Sequence, residues 1–460
     1  MKSADEAGGN VRWKPLRSRS FRAFMGGFAL DQFADGLWLY TLGWLAAQTG
    51  QGIASAMIFV AAAVPSFLLQ PLGGLLTDRY GSRRLTVITL ICRAAALAVW
   101  ASVADRVDGS VVVIMVAAAT ISAIEGFHNS AVWAYPRSLL PDTREIQKTA
   151  SSLESLVRRL AHGAGPLLGG ALTVRFGLGA GPSVGAVALA VAVVIFRKLP
   201  RASEPGEAIV RHSDLGEEQT DPQLSLRAGL RYAFQTNRTV AACIVSTGVL
   251  NFCVSASIVV GLPLLAGAAG WGAGQFGVVA AAFGVGAGIG NLATSGRDVP
   301  LPWLLVANAG TGLPLVVMGL SRGFSVALTC SLLAGGCVGV AAPGLAGYVR
   351  AAPPSALVGR VGAVLEMAYG VEPVGYLLFG VTAAAVSTRW SFLGSGVLTV
   401  VVACSALVVV LRGSPRTGPS EVVGGGVARV QFLHDVGDVG VEEVPDRHAE
   451  NLRQAGDQHS

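Results

Sequence analysis

Residues 53–104 read IASAMIFVAAAVPSFLLQPLGGLLTDRYGSRRLTVITLICRAAALAVWASVA. Residues 53–77 carry no charge and residues 85–104 carry one, Arg93, while Asp78, Arg79, Arg83 and Arg84 crowd around Gly81 between them. A hydrocarbon core of ~30 Å is crossed by about 20 apolar residues of helix. The stretch therefore reads as two membrane-spanning helices joined by a short polar turn. The same rule, with charges and Gly/Pro clusters as breaks, gives twelve spans: 23–47, 53–77, 85–104, 111–135, 150–175, 182–197, 239–266, 274–295, 303–320, 325–348, 361–386 and 391–412. Composition agrees, since 52% of the 460 residues are hydrophobic and only 13% charged. Soluble domains carry about 25% charged residues, and a soluble chain of this length could not cover its surface with so few. The fold class expected is an all-α membrane protein with twelve transmembrane helices.

The net charge of +6 would suggest nucleic acid in a soluble protein. Here its distribution carries the meaning. With both termini inside, only Arg106, Arg175, Arg322 and Arg389 of the 34 Lys/Arg fall outside, and Arg93, Arg158 and Arg159 lie within spans. All the rest guard the inner face, as the positive-inside rule requires. The expected protein is thus a multi-pass protein of a bacterial cell membrane with both termini cytoplasmic, in contact with the lipid bilayer and not with nucleic acid. The basic N-terminus runs to Arg22 and straight into a full-length span without an A-x-A site, so it reads as a first transmembrane helix rather than a cleaved signal. The six cysteines all fall inside spans, without metal-ligand spacing, and read as packing residues. No metal and no cofactor are expected.

Residues 198–238 are charged and Pro-containing, and they split the spans six and six. Tyr135-x-Arg137-x-x-x-Pro141 recurs as Tyr348-x-Arg350-x-x-x-Pro354, Leu153-Glu154 as Leu365-Glu366, and Gly74-x-Leu76 as Gly290-x-Leu292, at offsets of 213, 212 and 216. Each pair is weak alone, but all are in register with span number. Together they argue for a parallel repeat of two pseudo-symmetric six-helix bundles, an arrangement known in secondary transporters. The expected organisation is a cytoplasmic N-terminus (1–22), a first bundle (23–197), a cytoplasmic loop (198–238), a second bundle (239–412) and a disordered cytoplasmic tail (413–460).

The loop Gly74-Leu-Leu-Thr77-Asp78-Arg79-Tyr-Gly81-Ser82-Arg83-Arg84 has the physics of a tight inner turn. Gly81 permits φ > 0, Asp78 can cap or face a helix N-terminus, and the arginines stay among headgroups. A generic basic loop would share those properties. The residues also resemble the signature loop of the major facilitator superfamily (MFS), G-x-L-a-D-r-x-G-r-[rk], departing from it at Thr77 and Ser82. Gly165-Pro166-x-x-Gly169-Gly170 resembles the G-P-x-x-G-G element of MFS exporters, although proline and small residues also serve as a kink and packing device. With Arg137-x-x-Leu140-Pro141, Ala150-Ser-Ser, Asp35-Gly36, Gly359-Arg360-Val361 and Pro373-x-Gly375, residues 20–410 resemble the branch containing macrolide and siderophore exporters. The resemblance implies the MFS fold and a central cavity lined by spans 1, 4, 7 and 10. Many proton-coupled drug antiporters of the superfamily carry a fourth-span arginine. Ser122 takes its place here, and the exporter branch often lacks it.

Ionisable residues inside spans cost ~2.5–3.5 kcal/mol each on insertion scales and read as functional. Glu154 and Glu366 lie within ~8 Å of the inner end of their spans, close enough to be interfacial. Asp35 and Glu372 lie ~17 Å in, where a buried carboxyl can take up and release a proton. Asp31 is one turn from Asp35, and Glu125 forms a polar stripe with His128 and Asn129. A buried charge network with Arg93 is the structural alternative for Asp31 and Glu125. Asn251 and Tyr369 are candidate hydrogen-bonding residues of a cavity.

Enzymatic signals are weak. Gly181-Pro-Ser183-Val-Gly185 matches G-x-S-x-G but lacks strand context, no His is followed by Glu, and no Lys follows a Gly, which excludes a P-loop. Gly284, Gly286, Gly288 and Gly290 read as a helix-packing device. The expected function is export of a small amphipathic compound, such as an antibiotic or siderophore, by a monomeric proton antiporter and not an enzyme. An importer or proton symporter of the same fold and a non-transporting membrane receptor or scaffold are the other readings.

Overall fold

The computed structural model describes residues 15–106, 110–140, 144–200, 222–295, 297, 299–354 and 357–413. Most of the expected N-terminus, much of the expected central loop and the expected tail lie outside the described residues. Every regular element among the described residues is helical. In chain order these are α1 (Arg19–Thr49), α2 (Gly52–Tyr80), α3 (Ser82–Val103), α4 (Val111–Leu139), α5 (Arg144–Phe176), α6 (Ala180–Lys198), α7 (Pro222–Arg231), α8 (Arg238–Ala269), α9 (Ala273–Thr294), α10 (Leu301–Leu320), α11 (Phe324–Ala351), α12 (Val358–Ala385) and α13 (Thr388–Gly413).

Local chemistry explains the ends. Ser18 accepts a hydrogen bond from the Phe21 amide to begin α1, and Gly50, at φ 61°, ends it. Asn237 begins α8 by accepting from the Thr239 and Val240 amides, both at 3.1 Å. Gly81, at φ 81°, is the single residue between α2 and α3, as its place in the turn required. Asp78 supplies no cap there, because α3 starts without a side-chain cap bond.

Ten of these helices are long and apolar enough to cross a membrane, and the exceptions among the long helices are α1 and α5. Both are long, at 31 and 33 residues, but α1 carries Asp31, Gln32 and Asp35, and α5 carries Glu154, Arg158, Arg159 and His162. They pack on each other, with α1 also against α6 and α5 also against α9. Protein neighbours thus shield much of both helices from lipid. The outer surface is apolar instead: Val99, Val112, Val174 and Trp303 are each more than 60% exposed. A soluble monomer rarely shows so much exposed hydrocarbon.

The two halves repeat one neighbour pattern. In the first, α2 packs on α4, α3 on α4 and α6, and α1 on α5 and α6. In the second, α9 packs on α11, α10 on α11 and α13, and α8 on α12 and α13. Two of the repeated motifs meet in the second half, where Arg350 and Glu366 form an exposed 3.5 Å ion pair. Between the halves run α2 against α12, α5 against α9, and α1 against the last turns of α8.

Three irregularities place chemistry. First, α8 contains two π-helical segments, Leu250–Ser255 and Ser257–Gly261, a distortion frequent at functional sites. Second, α12 breaks between Tyr369 and Glu372. Pro373 accounts for the break, since it lacks the N–H that would bond the Tyr369 carbonyl and its ring crowds that group. Third, the central stretch read as a charged loop holds α7, which packs on the start of α12.

Candidate functional site

The first-half candidates form a buried cluster between α1, α3 and α4. Arg93 Nη1 bonds Asp31 Oδ1 at 2.6 Å, and Nη2 pairs with Asp35 Oδ1. The Gln32 amide donates to Asp31 at 3.3 Å and to Asp35 at 3.2 Å. His128 Nε2 lies 3.1 Å from Asp31 Oδ2 and its Nδ1 2.8 Å from Thr89 Oγ1. Asp31, Arg93 and His128 are nearly inaccessible, whereas the Asp35 side chain is 16% exposed. Asp35 is therefore the more accessible of the two carboxylates.

The hydrogen-bond inventory defines what the cluster can do. With a neutral ring, His128 Nε2–H donates to Asp31 and the Thr89 hydroxyl donates to Nδ1. With an imidazolium, both ring N–H groups donate, and the Thr89 hydroxyl turns to the Leu85 carbonyl, 2.9 Å away. Both states satisfy the ring nitrogens, and Arg93 Nε is the buried donor of the cluster that has no hydrogen-bond partner among the described residues. With a neutral imidazole, two carboxylates and one guanidinium leave one negative charge uncompensated, and with an imidazolium the charges balance.

Glu125 stands outside this cluster, half-buried, and His128 turns away from it toward Asp31. The network with Arg93 holds Asp31, as the structural alternative had it, but Asp35 joins it and Glu125 does not. Ser122 is buried and its Oγ accepts from the Ser66 amide at 3.0 Å, next to the Pro65 position in α2. The buried cation is supplied by α3 rather than α4.

The second-half candidates meet around a cavity of about 160 Å³, lined among others by Thr247, Asn251, Ser255, Phe283, Val338 and Tyr369. The distorted stretch of α8 presents Asn251 and Ser255 to it. The Ser255 hydroxyl donates to Glu372 Oε1 at 3.1 Å and the Tyr376 hydroxyl to Oε2 at 3.2 Å. Glu372 also opens the second segment of α12, where the helix dipole favours a negative charge. A larger cleft of about 650 Å³, between the chain ends of α1, α8 and α12, contains no ionisable lining residue.

The motif residues divide by role. Gly74, Asp78, Arg79 and Arg84 sit at the accessible α2–α3 turn, and a Cβ on Gly74 would meet nothing within 4 Å. Arg83 donates to the Arg197 carbonyl at 2.9 Å, tying that turn to the end of α6. Gly165 lies against Gly36, Gly169 against the Tyr40 ring, and Gly170 and Pro166 against Gly277. The G-P-x-x-G-G element is thus the place where α1, α5 and α9 cross. Gly284 faces Gly163 of α5, while Gly286 and Gly290 face α11, so the packing reading of that glycine run holds on two faces.

Sequence reasoning passed over two arginines as candidates. The Arg158 guanidinium stacks on the Trp133 ring at 4.3 Å, and the Arg159 Nε is buried without a hydrogen-bond partner. Their signal was present, as charges in the middle of a span.

The family model described as transmembrane secretion effector, one of the major facilitator families, matches residues 10–450. No curated protein matches the sequence. Among solved structures, the nucleoside transporter NupG is similar with a TM-score of 0.61 and 12% identity, over 87% of this chain and 99% of that one. An auto-inhibited peptide transporter of the POT family gives 0.64 and 12%, over 87% and 99%. The human organic anion transporter MFSD10 (TETRAN) gives 0.58 and 19%, over 84% and 98%. At such identities the likeness is one of fold.

Proposed function

Because the chain belongs to the transmembrane secretion effector family of the major facilitator superfamily, we propose that this membrane transporter expels a small amphipathic compound in exchange for protons. Antibiotics, siderophores and related metabolites are the substrate classes in this reading, and expelling an antibiotic would make the protein a resistance determinant. Family and fold point to a transporter rather than an enzyme. The ten apolar helices, joined by α1 and α5, make twelve spans of a monomer in the bacterial cell membrane, with both termini cytoplasmic. The bundles are 23–197 and 239–412, on either side of the loop 198–238.

The observation that supports proton coupling is a buried cluster of two carboxylates, Arg93 and His128 in which one carboxylate is partly exposed. Asp35 is its accessible member. It pairs with Arg93 of α3 and accepts from Gln32, while Asp31, one turn away on α1, contacts His128 of α4 and lies within electrostatic range of His162 of α5. A proton on Asp35 dissolves its ion pair and leaves Arg93 to Asp31 alone. That state favours one arrangement of the halves, and the deprotonated state favours the other. Each charge moved is driven by ~2.3 kcal/mol per 100 mV of membrane potential, before any pH term.

In proteoliposomes with an imposed pH gradient, Asp35→Asn is expected to lose gradient-driven transport of a fluorescent cargo by at least tenfold. It should retain the exchange of cargo that needs no proton. Full gradient-dependent transport by this variant would remove Asp35 from the coupling role, and the direction of cargo movement in the same assay separates export from uptake.

A further inference from the structure

Two buried arginine environments in the first half differ in one respect. Arg93 is held by two carboxylates. Arg159, near the middle of the 33-residue α5, forms no ion pair or hydrogen bond with any described residue, and its Nε is buried without a partner. Arg158 has a buried, unpartnered Nε as well, stacks on Trp133 at 4.3 Å, and is within electrostatic range of Glu154 alone among the carboxylates. His162 lies one turn further along and feels both arginines. Across from them, the Tyr369 hydroxyl is within electrostatic range of Arg159 and lines the second-half cavity.

A cation at mid-span is costly in a membrane, and it is tolerated where it faces a partner or a water-filled path. Among the described residues Arg159 has no hydrogen-bond or ion-pair partner. The acidic groups near Tyr369 are occupied: Glu366 pairs with Arg350, and Glu372 accepts from Ser255 and Tyr376. The remaining lining beyond Tyr369 is largely apolar, with Val254, Ile258, Phe283 and Val338. A guanidinium whose donors meet no described acceptor, within electrostatic range of a phenol that lines a largely apolar cavity, matches a ligand with an anionic head and an apolar body.

We propose that Arg159, flanked by Arg158, anchors a negatively charged group, a carboxylate, sulfonate or phosphate, on the transported compound. The proposal rests on the transporter reading for its biological meaning and deepens it by making the cargo an amphipathic anion. The binding itself can be tested without transport.

The test is equilibrium binding of two fluorescent probes to the full-length protein in lipid nanodiscs: 5-carboxyfluorescein as the anion and rhodamine 6G as the cation, with empty nanodiscs subtracted. The wild-type protein should bind carboxyfluorescein more tightly. Arg159→Gln should weaken that binding 10- to 100-fold and leave rhodamine 6G within twofold. Arg159→Lys should fall between, since it keeps the charge but not the planar fork. If the glutamine variant does not fold, the lysine variant and Arg158→Gln carry the comparison, with thermal unfolding as the control.

Equal weakening of both probes, tighter wild-type binding of rhodamine 6G, or unchanged carboxyfluorescein binding in the variants would each overturn the site. Proteoliposome transport of the same probes separates the two readings. Arg159-dependent binding with no movement of either probe sinks the transporter reading and keeps the site. Movement of rhodamine 6G that ignores Arg159, without anion binding, does the reverse.

Discussion

Replacing Arg93 with alanine is expected to cost about 3–5 kcal/mol of folding free energy, the penalty for removing one member of a buried ion pair. Two carboxylates would remain on one turn of α1, with Asp31 inaccessible and only Gln32 and His128 to answer them. The loss should appear as a lowered unfolding midpoint of the purified protein in detergent, together with loss of transport. Arg93→Met combined with Asp31→Asn and Asp35→Asn should recover most of the stability but none of the coupling, because the charges to be compensated are gone. A single Arg93→Ala variant within ~1 kcal/mol of the wild type would mean that water or His128 already neutralises the carboxylates.

Gly165→Ala is expected to be nearly as damaging, at about 2–3 kcal/mol, the upper range for overpacking. A Cβ there would lie 2.6 Å from Gly36 Cα and 2.8 Å from the Leu37 amide nitrogen, and closer still to the Gly36 carbonyl carbon. All three are backbone atoms, so no rotamer change relieves the contact and α1 must move off α5. That movement would carry Asp35, the neighbour of Gly36, away from Arg93, and coupling should fail together with stability. Gly74→Ala is the control. It adds the same methyl group where nothing lies within 4 Å, and its unfolding midpoint should match the wild type. Equal midpoints for both alanine variants would mean that α1 and α5 are loosely packed at this crossing.

Much of this was legible in the sequence, for reasons that differ by residue. The apolar spans declare themselves because lipid leaves no choice of surface. Asp31, Asp35 and Glu372 stood out because a charge at that depth needs a reason. Their partners did not stand out, since His128 lies 97 positions from Asp31 and Ser255 lies 117 from Glu372, and no local pattern links residues so far apart. The stripe of Glu125, His128 and Asn129 is real, yet a three-residue step turns a helix by about 300°, which puts His128 in the core and leaves Glu125 half-buried. The break in α12 does not declare itself, since Pro373 reads only as part of a motif and 361–386 as one span. The π-helical turns of α8 left no mark in composition, because they change the register of hydrogen bonds and not the residues. Helix α7 was hidden by the density of charge around it. Arg159 was visible but passed over, because its significance lies in the missing partner, which only three dimensions reveal.

The contact of α5 with α9 is backbone on backbone, Gly163 against Gly284 and Gly170 against Gly277. Interlocking side chains must climb over one another when helices slide, and each step forfeits dispersion contacts. Glycines present no such teeth. Sliding along this seam therefore meets little friction, and resistance concentrates where polar bonds cross it. Among the described residues the Asn291 amide of α9 donates to Ser155 Oγ of α5 at 2.9 Å across this seam, and beside it the Tyr40 hydroxyl of α1 donates to the Ala273 carbonyl of α9 at 3.2 Å. Both bonds join the two halves, so any sliding of one half along the other must break them, whereas the glycine contacts would only have to shift.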